Sequence, residues 1–299
     1  MQVAITGASG LIGRALAESL RLDGHRVRPL VRRAPDDPAA VRWDPAAGTI
    51  DAAALEGVDA VVHLAGAGIG DKRWSEDRKR ELHDSRTHGT DLLARTLAGL
   101  DRPPMVLLSG SAIGFYGNRD DDVLTEVSAP GDDFLARLVA DWEGAAAPAA
   151  EAGIRTVFLR SGLVLAGHGG ILPRMALPFR FFVGGRIGSG RQWMSWVTLA
   201  DEVGAIRFLV DREDMSGPVN LVAPEPVTNA ELAQALGAVL HRPAAIPVPA
   251  FAPRLLLGRE MADGLLFASQ RVRPDVLVAA GYGYAHTEIT AALRAVLGR

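Results

Sequence analysis

Cysteine is absent from the 299 residues, and lysine occurs only at Lys72 and Lys79; every other basic side chain is arginine. Without cysteine there is no disulfide, no thiolate nucleophile and no cysteine metal site, which fits a reducing compartment. Two lysines leave few amines for lysine-dependent chemistry. Tyrosine is scarce too, at Tyr116, Tyr282 and Tyr284. No run approaches the ~20 apolar residues a spanning helix needs, and the first apolar stretch is broken by glycines and followed by Arg14, unlike a signal peptide. A formal net charge of −3 argues against an electrostatic grip on nucleic acid or an anionic membrane. These absences lead us to expect a cytoplasmic protein, a monomer or homodimer, acting on a small molecule with neither nucleic acid nor membrane as partner.

What is present starts at the first residues. A β-type run, Gln2 to Thr6, feeds Gly7-x-x-Gly10-x-x-Gly13, which opens into a helical pattern from Leu11 to about Leu22 with Ile12, Ala15, Leu16 and Leu20 on one face. In that setting Gly7 allows a tight turn, Gly10 the approach of a pyrophosphate and Gly13 close packing of helix on strand. The helix start then offers unpaired N–H groups to phosphates. Further strand patterns follow at Arg26–Val31, Val41–Trp43, Ala60–Ala65, Met105–Ser109, Thr156–Val164 and, late in the chain, Val219–Val222. Between them Ser75 to Leu100 reads as a long helix with Leu82, Leu92, Leu93 and Leu97 facing the core. Strands apolar on both faces and alternating with helices indicate an α/β fold of Rossmann type, with a doubly wound parallel sheet.

The expected division is residues 1–165 as the dinucleotide-binding part, to which the late strand returns, and 166–299 as a smaller, mixed substrate-side region. In the latter, Thr228-Asn-Ala-Glu231 is a capping-box pattern for a helix to Leu240. A Pro-rich stretch, 243–253, precedes helical patterns at Arg254–Phe267 and His286–Leu297.

An NAD-selecting fold carries a carboxylate at the end of the second strand. Here that place holds Arg32-Arg33. Two guanidinium groups suit a 2′-phosphate, so the expected cofactor is NADP(H), gripped mainly by Arg33 with Arg32 beside it.

Several segments then resemble the extended short-chain dehydrogenase/reductase superfamily: Thr6-Gly-Ala-Ser-Gly-Leu-Ile-Gly13, Val61-Val-His-Leu-Ala-Gly66, His88-Gly-Thr90, Leu107-Leu-Ser-Gly-Ser-Ala-Ile-Gly-Phe-Tyr-Gly117 and Trp196-Val-Thr-Leu-Ala-Asp201. Asp84-Ser-Arg86, Trp142-Glu143, Arg160-Ser-Gly162, Pro178-Phe-Arg180 and Ile187-Gly-Ser-Gly190, with Gln270-Arg-Val272 near the C-terminus, resemble its NADP-binding epimerase-family branch more narrowly. The resemblance implies that Gly7, Ser9, Gly10, Leu11 and Ile12 hold the pyrophosphate and Arg33 the 2′-phosphate. It also implies that Leu64, Ala65 and Gly66 line the ribose side, that Glu81 and Arg86 reach the cofactor, and that Val164 lies near the nicotinamide. His63 is then a core or cofactor-wall residue rather than a ligand.

Most of that superfamily uses a Tyr-x-x-x-Lys pair, in which the lysine lowers the tyrosine pKa. Inspection excludes the pair, because the residues four after the tyrosines are Asp120, His286 and Glu288. Aligning Glu143 with the glutamate that often follows the lysine puts Leu135 and Val139 in the catalytic places. The remaining candidates are Ser109 and Ser111, where the superfamily keeps a hydroxyl beside the substrate carbonyl, and Tyr116, where related epimerases have a tyrosine facing the site. Each reads equally well as a structural residue. Trp193 and Trp196 read as an aromatic floor or as core. Arg174, Arg180 and Arg186 read as anion holders or a solvated rim, and Lys72-Arg73-Trp74 as a lid or a mobile loop. His83 and His88, five apart on a helix, cannot share a metal, so no metal site is expected. The function expected is an NADP(H)-dependent oxidoreductase acting on a small carbonyl or hydroxyl compound. The alternatives are a non-catalytic NADP(H)-binding sensor and, less compatible with the missing lysine, a nucleotide-sugar epimerase or dehydratase.

Overall fold

Alternating strand residues explain the layering. In the computed structural model, which describes residues 1–33 and 37–299, Val3 and Ile5 point to one face of the central sheet and Ala4 to the other. Ala60 and Val62 likewise oppose Val61, and Val106 and Leu108 oppose Leu107. Both faces are apolar, so both must be covered.

The sheet has eight strands: β1 (Gln2–Thr6), β2 (Arg26–Val31), β3 (Val41–Asp44), β4 (Thr49–Ile50), β5 (Ala60–His63), β6 (Val106–Ala112), β7 (Arg155–Ser161) and β8 (Gly217–Leu221). Their spatial order is β8-β7-β6-β5-β1-β2-β3-β4. Every pairing is parallel except the antiparallel edge of β3 with β4. The chain builds outward from β1 through β2 to β4, then returns with β5 on the other side of β1. The order therefore reverses between β1 and β5, and the crevice beyond their carboxyl ends is where such sheets take ligands.

Helix α1 (Leu11–Leu22) covers one face through Leu16, Ala17 and Leu20, beside Ile206 and Leu209 of a helix at Leu199–Asp211. Helix α2 (Glu76–Ala98) covers the other with Leu93, Ala94 and Leu97. It starts where expected because the Ser75 hydroxyl accepts from the Arg78 amide. Its core face includes Leu82, Leu93 and Leu97, but Leu92 is only half buried, since it falls off the stripe. Helix α3 (Phe134–Gly144) is capped by Asp133 and packs over β6.

The strand expected at Thr156–Val164 breaks in two. At Gly162 an added Cβ would lie 2.6 Å from the Ser195 carbonyl oxygen, so the chain passes close by and leaves the sheet. Residues Leu163–Leu165 then pair with Trp196–Thr198 outside it. The 166–299 region has its own apolar cluster around Leu172, Trp196, Leu236 and Leu293. Yet β8, the Leu199–Asp211 helix and Leu277 all pack on the main sheet. A cut at residue 165 therefore divides the chain in sequence but not in space. The helical pattern expected at Arg254–Phe267 is three pieces, Phe251–Leu257, Arg259–Ala262 and a π-helical turn at Asp263–Phe267.

Leu93→Ala should lower unfolding free energy by about 3 kcal/mol, the cost of emptying a fully buried leucine site, whereas Leu92→Ala should cost under about 1 kcal/mol. Urea midpoints of the two variants test the assignment, and equal losses would contradict it.

Candidate functional site

The crevice at the β1/β5 switch is built by glycines. Gly7 takes φ +67°, and a Cβ there would lie 2.8 Å from the Leu64 carbonyl carbon. At Gly13 a Cβ would lie 2.3 Å from the Gly7 carbonyl oxygen. Both positions require the missing side chain, one for backbone conformation and one for the approach of helix to turn. Gly10, whose amide donates to the Gly7 carbonyl at 2.9 Å, is exposed and serves as the helix N-cap with no side-chain cap. The first-turn amides of α1 thus point at the crevice with the positive end of the helix dipole. This arrangement fits a phosphate group. Ser9 is exposed beside Gly10, while Leu11 and Ile12 are half buried. Leu11 lies against the 169–170 glycine turn, whose Gly170 is near the Val164 carbonyl, so Val164 borders the same crevice.

The opposite wall follows β5. The amides of Leu64 and Ala65 both donate to Thr6 Oγ1, at 2.9 and 3.1 Å. With both lone pairs of that oxygen occupied, its proton goes to His63 Nδ1 at 2.7 Å. His63 must therefore carry its own proton on Nε2, which donates to Thr90 Oγ1 at 2.9 Å; that oxygen also accepts from Trp142 Nε1 at 3.0 Å. Burial pushes the His63 pKa down to about 4, in keeping with a neutral ring. The chain of bonds ties β1, β5, α2 and α3 together beneath Leu64, Ala65 and Gly66.

Arg86 lies over Gly66 and on the Trp142 ring, 5.1 Å from its centroid. Its one hydrogen bond to a described residue is to the Leu82 carbonyl, and no carboxylate among the described residues pairs with it. Burial, and secondarily Arg78, lowers its pKa to about 10, so it remains a cation. Glu81 is half exposed and paired with Arg78 at 2.7 Å. Arg32 and Arg33 are exposed just past the end of β2, on the crevice side of the sheet's carboxyl edge. The structure thus gathers Gly7, Ser9, Gly10, Leu11, Leu64, Ala65, Gly66, Arg86 and Val164 around one crevice.

The proton-transfer candidates fare differently. Tyr116 does not face the crevice: it has no exposed surface, donates to Asn220 Oδ1 at 2.7 Å and accepts from Arg160 Nη1 at 3.0 Å. Burial pushes its phenol above the ordinary value, with Arg160 offsetting part of the rise. Ser109 is fully buried, and its hydroxyl has no partner among the described residues. Ser111 keeps a little surface, 6%, and donates to Glu143 Oε1 at 2.6 Å. Leu135 is half buried, with its Cδ1 near Gly264 and the Trp74 ring, and Val139 is buried. The corner used elsewhere for acid–base work is here an apolar wall. Trp196 is fully buried, which settles it as core, whereas Trp193 is half buried with its indole N–H on Asp121.

A buried pair replaces this machinery, formed by the Glu143 and Arg160 of the Trp142-Glu143 and Arg160-Ser-Gly162 motifs, whose pairing the motifs alone do not reveal. Arg160 binds Glu143 with two parallel bonds, at 2.8 and 2.9 Å, and stacks 3.5 Å over the Phe115 ring. Glu202 was missed as well. It is fully buried, accepts from Ser161 Oγ at 2.5 Å, leaves its second oxygen unpartnered, and is pushed up by burial to about 8. Runs of polar residues in apolar strands, such as Arg160-Ser161, were the only available hint.

Because Glu202 keeps its proton in the folded state well above the pH at which it ionises unfolded, the unfolded chain binds fewer protons between about pH 4.5 and 8. Its contribution to stability must then fall as pH rises through that window. Glu202→Gln should gain stability over the parent progressively from pH 5 to about 8, as measured by urea denaturation at each pH; a constant difference would refute the buried acid.

A model described as "NAD dependent epimerase/dehydratase family" matches residues 3–222, and one described as a domain of unknown function (DUF1731) matches 248–296. The chain is similar to an epimerase family protein of Mycobacterium leprae, with 45% identity over 97% of this chain and 94% of that one. It is likewise similar to the human epimerase family protein SDR39U1, with 38% identity over 99% of this chain and 100% of that one. A crystal structure of human SDR39U1 (isoform 2) with NADPH superposes at a TM-score of 0.91, with 36% identity and complete coverage of both chains. The nucleoside-diphosphate sugar epimerase of Corynebacterium glutamicum superposes at 0.83, with 37% identity, over all of this chain and 58% of that one. With its glycine turn, switch-point crevice and Rossmann sheet, this chain belongs to the NAD dependent epimerase/dehydratase family.

Proposed function

We propose that this protein is an NADP(H)-dependent oxidoreductase acting on a small carbonyl or hydroxyl compound. The observation that carries the reading is the uncapped glycine start of α1 facing Leu64–Gly66, with Arg32 and Arg33 at the end of β2 where a carboxylate would select NAD. The NADPH in the human relative's structure supports it. Gly7, Ser9, Gly10, Leu11 and Ile12 hold the pyrophosphate, Arg33 with Arg32 the 2′-phosphate, and Leu64, Ala65, Gly66 and Arg86 the ribose side. Glu81 steadies Arg78 beside them, and Val164 closes the nicotinamide end. When bound, the nicotinamide supplies or accepts a hydride. The chain's own part is to orient the substrate. Ser111 has committed its proton to Glu143, so its lone pairs are left to accept from a substrate hydroxyl.

A second reading, a cofactor-occupancy sensor, is favoured by one observation: Ser109 and Tyr116 have no exposed surface from which to exchange protons. A sugar epimerase or dehydratase must remove and return a proton, and Leu135 and Val139 offer no group for it.

Purified protein should oxidise NADPH with a panel of aldehydes, ketones and quinones, or reduce NADP+ with small alcohols, and Ser111→Ala should lower the alcohol reaction about tenfold, the loss of one hydrogen bond to the substrate, with NADPH affinity intact. Tight NADPH binding with no turnover across the panel would favour the sensor. Arg33→Ala should weaken NADPH about 10- to 100-fold and leave NADH unchanged, the loss expected for charge-assisted phosphate contacts; equal losses in calorimetric titration would overturn the cofactor assignment.

A further inference from the structure

Charge and exposed apolar surface are segregated onto one part of this protein. Residues 167–192 and 241–259 contain no aspartate or glutamate, yet carry Arg174, Arg180, Arg186 and Arg191 in the first segment and Arg242, Arg254 and Arg259 in the second. The two segments run together: the Ile246 amide donates to the Gly184 carbonyl, the Val248 amide to Arg186, and the Gly188 amide to Val248. Arg254 and Arg259 meet Asp263 just beyond the second segment, but the other five arginines pair with no carboxylate among the described residues. The near-neutral total of −3 hides this local positive field.

The same segments hold most of the large apolar side chains left in solvent. Leu177, Phe181, Phe182 and Val183 are 50, 69, 56 and 48% exposed, and Ile246, Phe251, Leu255 and Leu256 are 50 to 76% exposed. Three consecutive exposed apolar residues are rare without a function. Their presentation is also built. Phe182 adopts φ +61°, a left-handed conformation that a bulky residue seldom takes, and the turn is closed by its amide on the Phe179 carbonyl and by the Val183 amide on Pro178. Arg242 stacks on the Phe182 ring at 4.6 Å, so the cation and the aromatic ring sit side by side.

We propose that this surface docks the protein peripherally on an anionic lipid bilayer. Phe181, Phe182 and Val183 enter the headgroup–acyl boundary while Arg180 and Arg242 engage lipid phosphates, as aromatic and basic side chains do at membrane interfaces. A second copy of the chain is the poorer occupant, because a two-fold interface here would set unpaired arginines against arginines. No helix among the described residues is long and apolar enough to cross a membrane, and none is needed for surface docking. The proposal departs from the expectation, drawn from total charge, that no membrane is a partner, and the experiment decides between them.

The experiment is co-sedimentation of the full chain with vesicles of phosphatidylcholine alone or with about one third phosphatidylglycerol. The full chain should bind the anionic vesicles, bind phosphatidylcholine weakly, and release as salt is raised. Phe181→Ser with Phe182→Ser should lower the vesicle partition at least about tenfold, and Arg180→Gln with Arg242→Gln about fivefold per arginine, both with NADPH affinity unchanged. No preference of the unaltered protein for anionic vesicles would overturn the proposal. So would a change of oligomeric mass, in place of a loss of vesicle binding, on substitution of the two phenylalanines, since the surface would then be an interface between copies.

Discussion

The constraint on which this site depends is the buried pair of Glu143 and Arg160. Both side chains are at least nine-tenths buried, and each must find its partners inside the protein. Glu143 takes two bonds from Arg160 and one from Ser111; Arg160 adds Tyr116 and the Glu126 carbonyl. Tyr116 passes its proton to Asn220, whose side-chain amide reaches the Arg273 carbonyl. One network therefore joins β6, α3, β7, β8 and the C-terminal segment. Such a pair adds little to stability compared with apolar residues of the same shape, but leaving either charge alone would cost about 3–5 kcal/mol. It fixes which elements meet on the β6 side of the sheet.

That network also accounts for where proton-transfer chemistry is missing. A catalytic hydroxyl needs a surface and a group that changes its proton affinity. Here the three hydroxyls nearest the expected position are spent on, or sealed within, the structural network. Arg160 could have served as the cation that activates Tyr116, since it donates to the phenol at 3.0 Å. Burial outweighs it, and the phenol is raised rather than lowered. The proximity of a cation to a tyrosine is thus not enough; desolvation decides the sign.

The sequence read well where one residue type serves one geometry. Gly7 and Gly13 could be assigned because a Cβ at either place collides with backbone, and the order strand–glycines–helix announces that collision. The parallel sheet was legible from apolar runs such as Ala60–His63, whose two faces are both covered. Where several side chains share one burial, the sequence was silent. Tyr116 stood five residues beyond Ser111 with nothing to say whether it turned inward, because Asn220, which captures it, lies 104 residues away. Gly162 looked like strand interior until the Ser195 carbonyl occupied the space a side chain would need. Total charge is silent for a related reason, since a sum cannot report that 45 residues in two distant stretches hold no acid.

What remains around the crevice after these internal bonds are counted has a single sign. The first turn of α1 has no capping side chain among the described residues, Arg86 pairs with no carboxylate among them, and Arg32 and Arg33 stand exposed at the end of β2. Every one of these is a donor or a cation. Of the carboxylates nearby, Glu81 is held by Arg78 and Glu143 by Arg160. On the proposed function, donors left free at this end suit the phosphates of NADP(H). The corner where the superfamily places its acid–base pair holds Leu135 and Val139 beside Gly114, with Trp74 beside Gly264. On that proposal the cationic end would hold the cofactor, and the apolar corner would leave the reacting partner Ser111 as its polar contact.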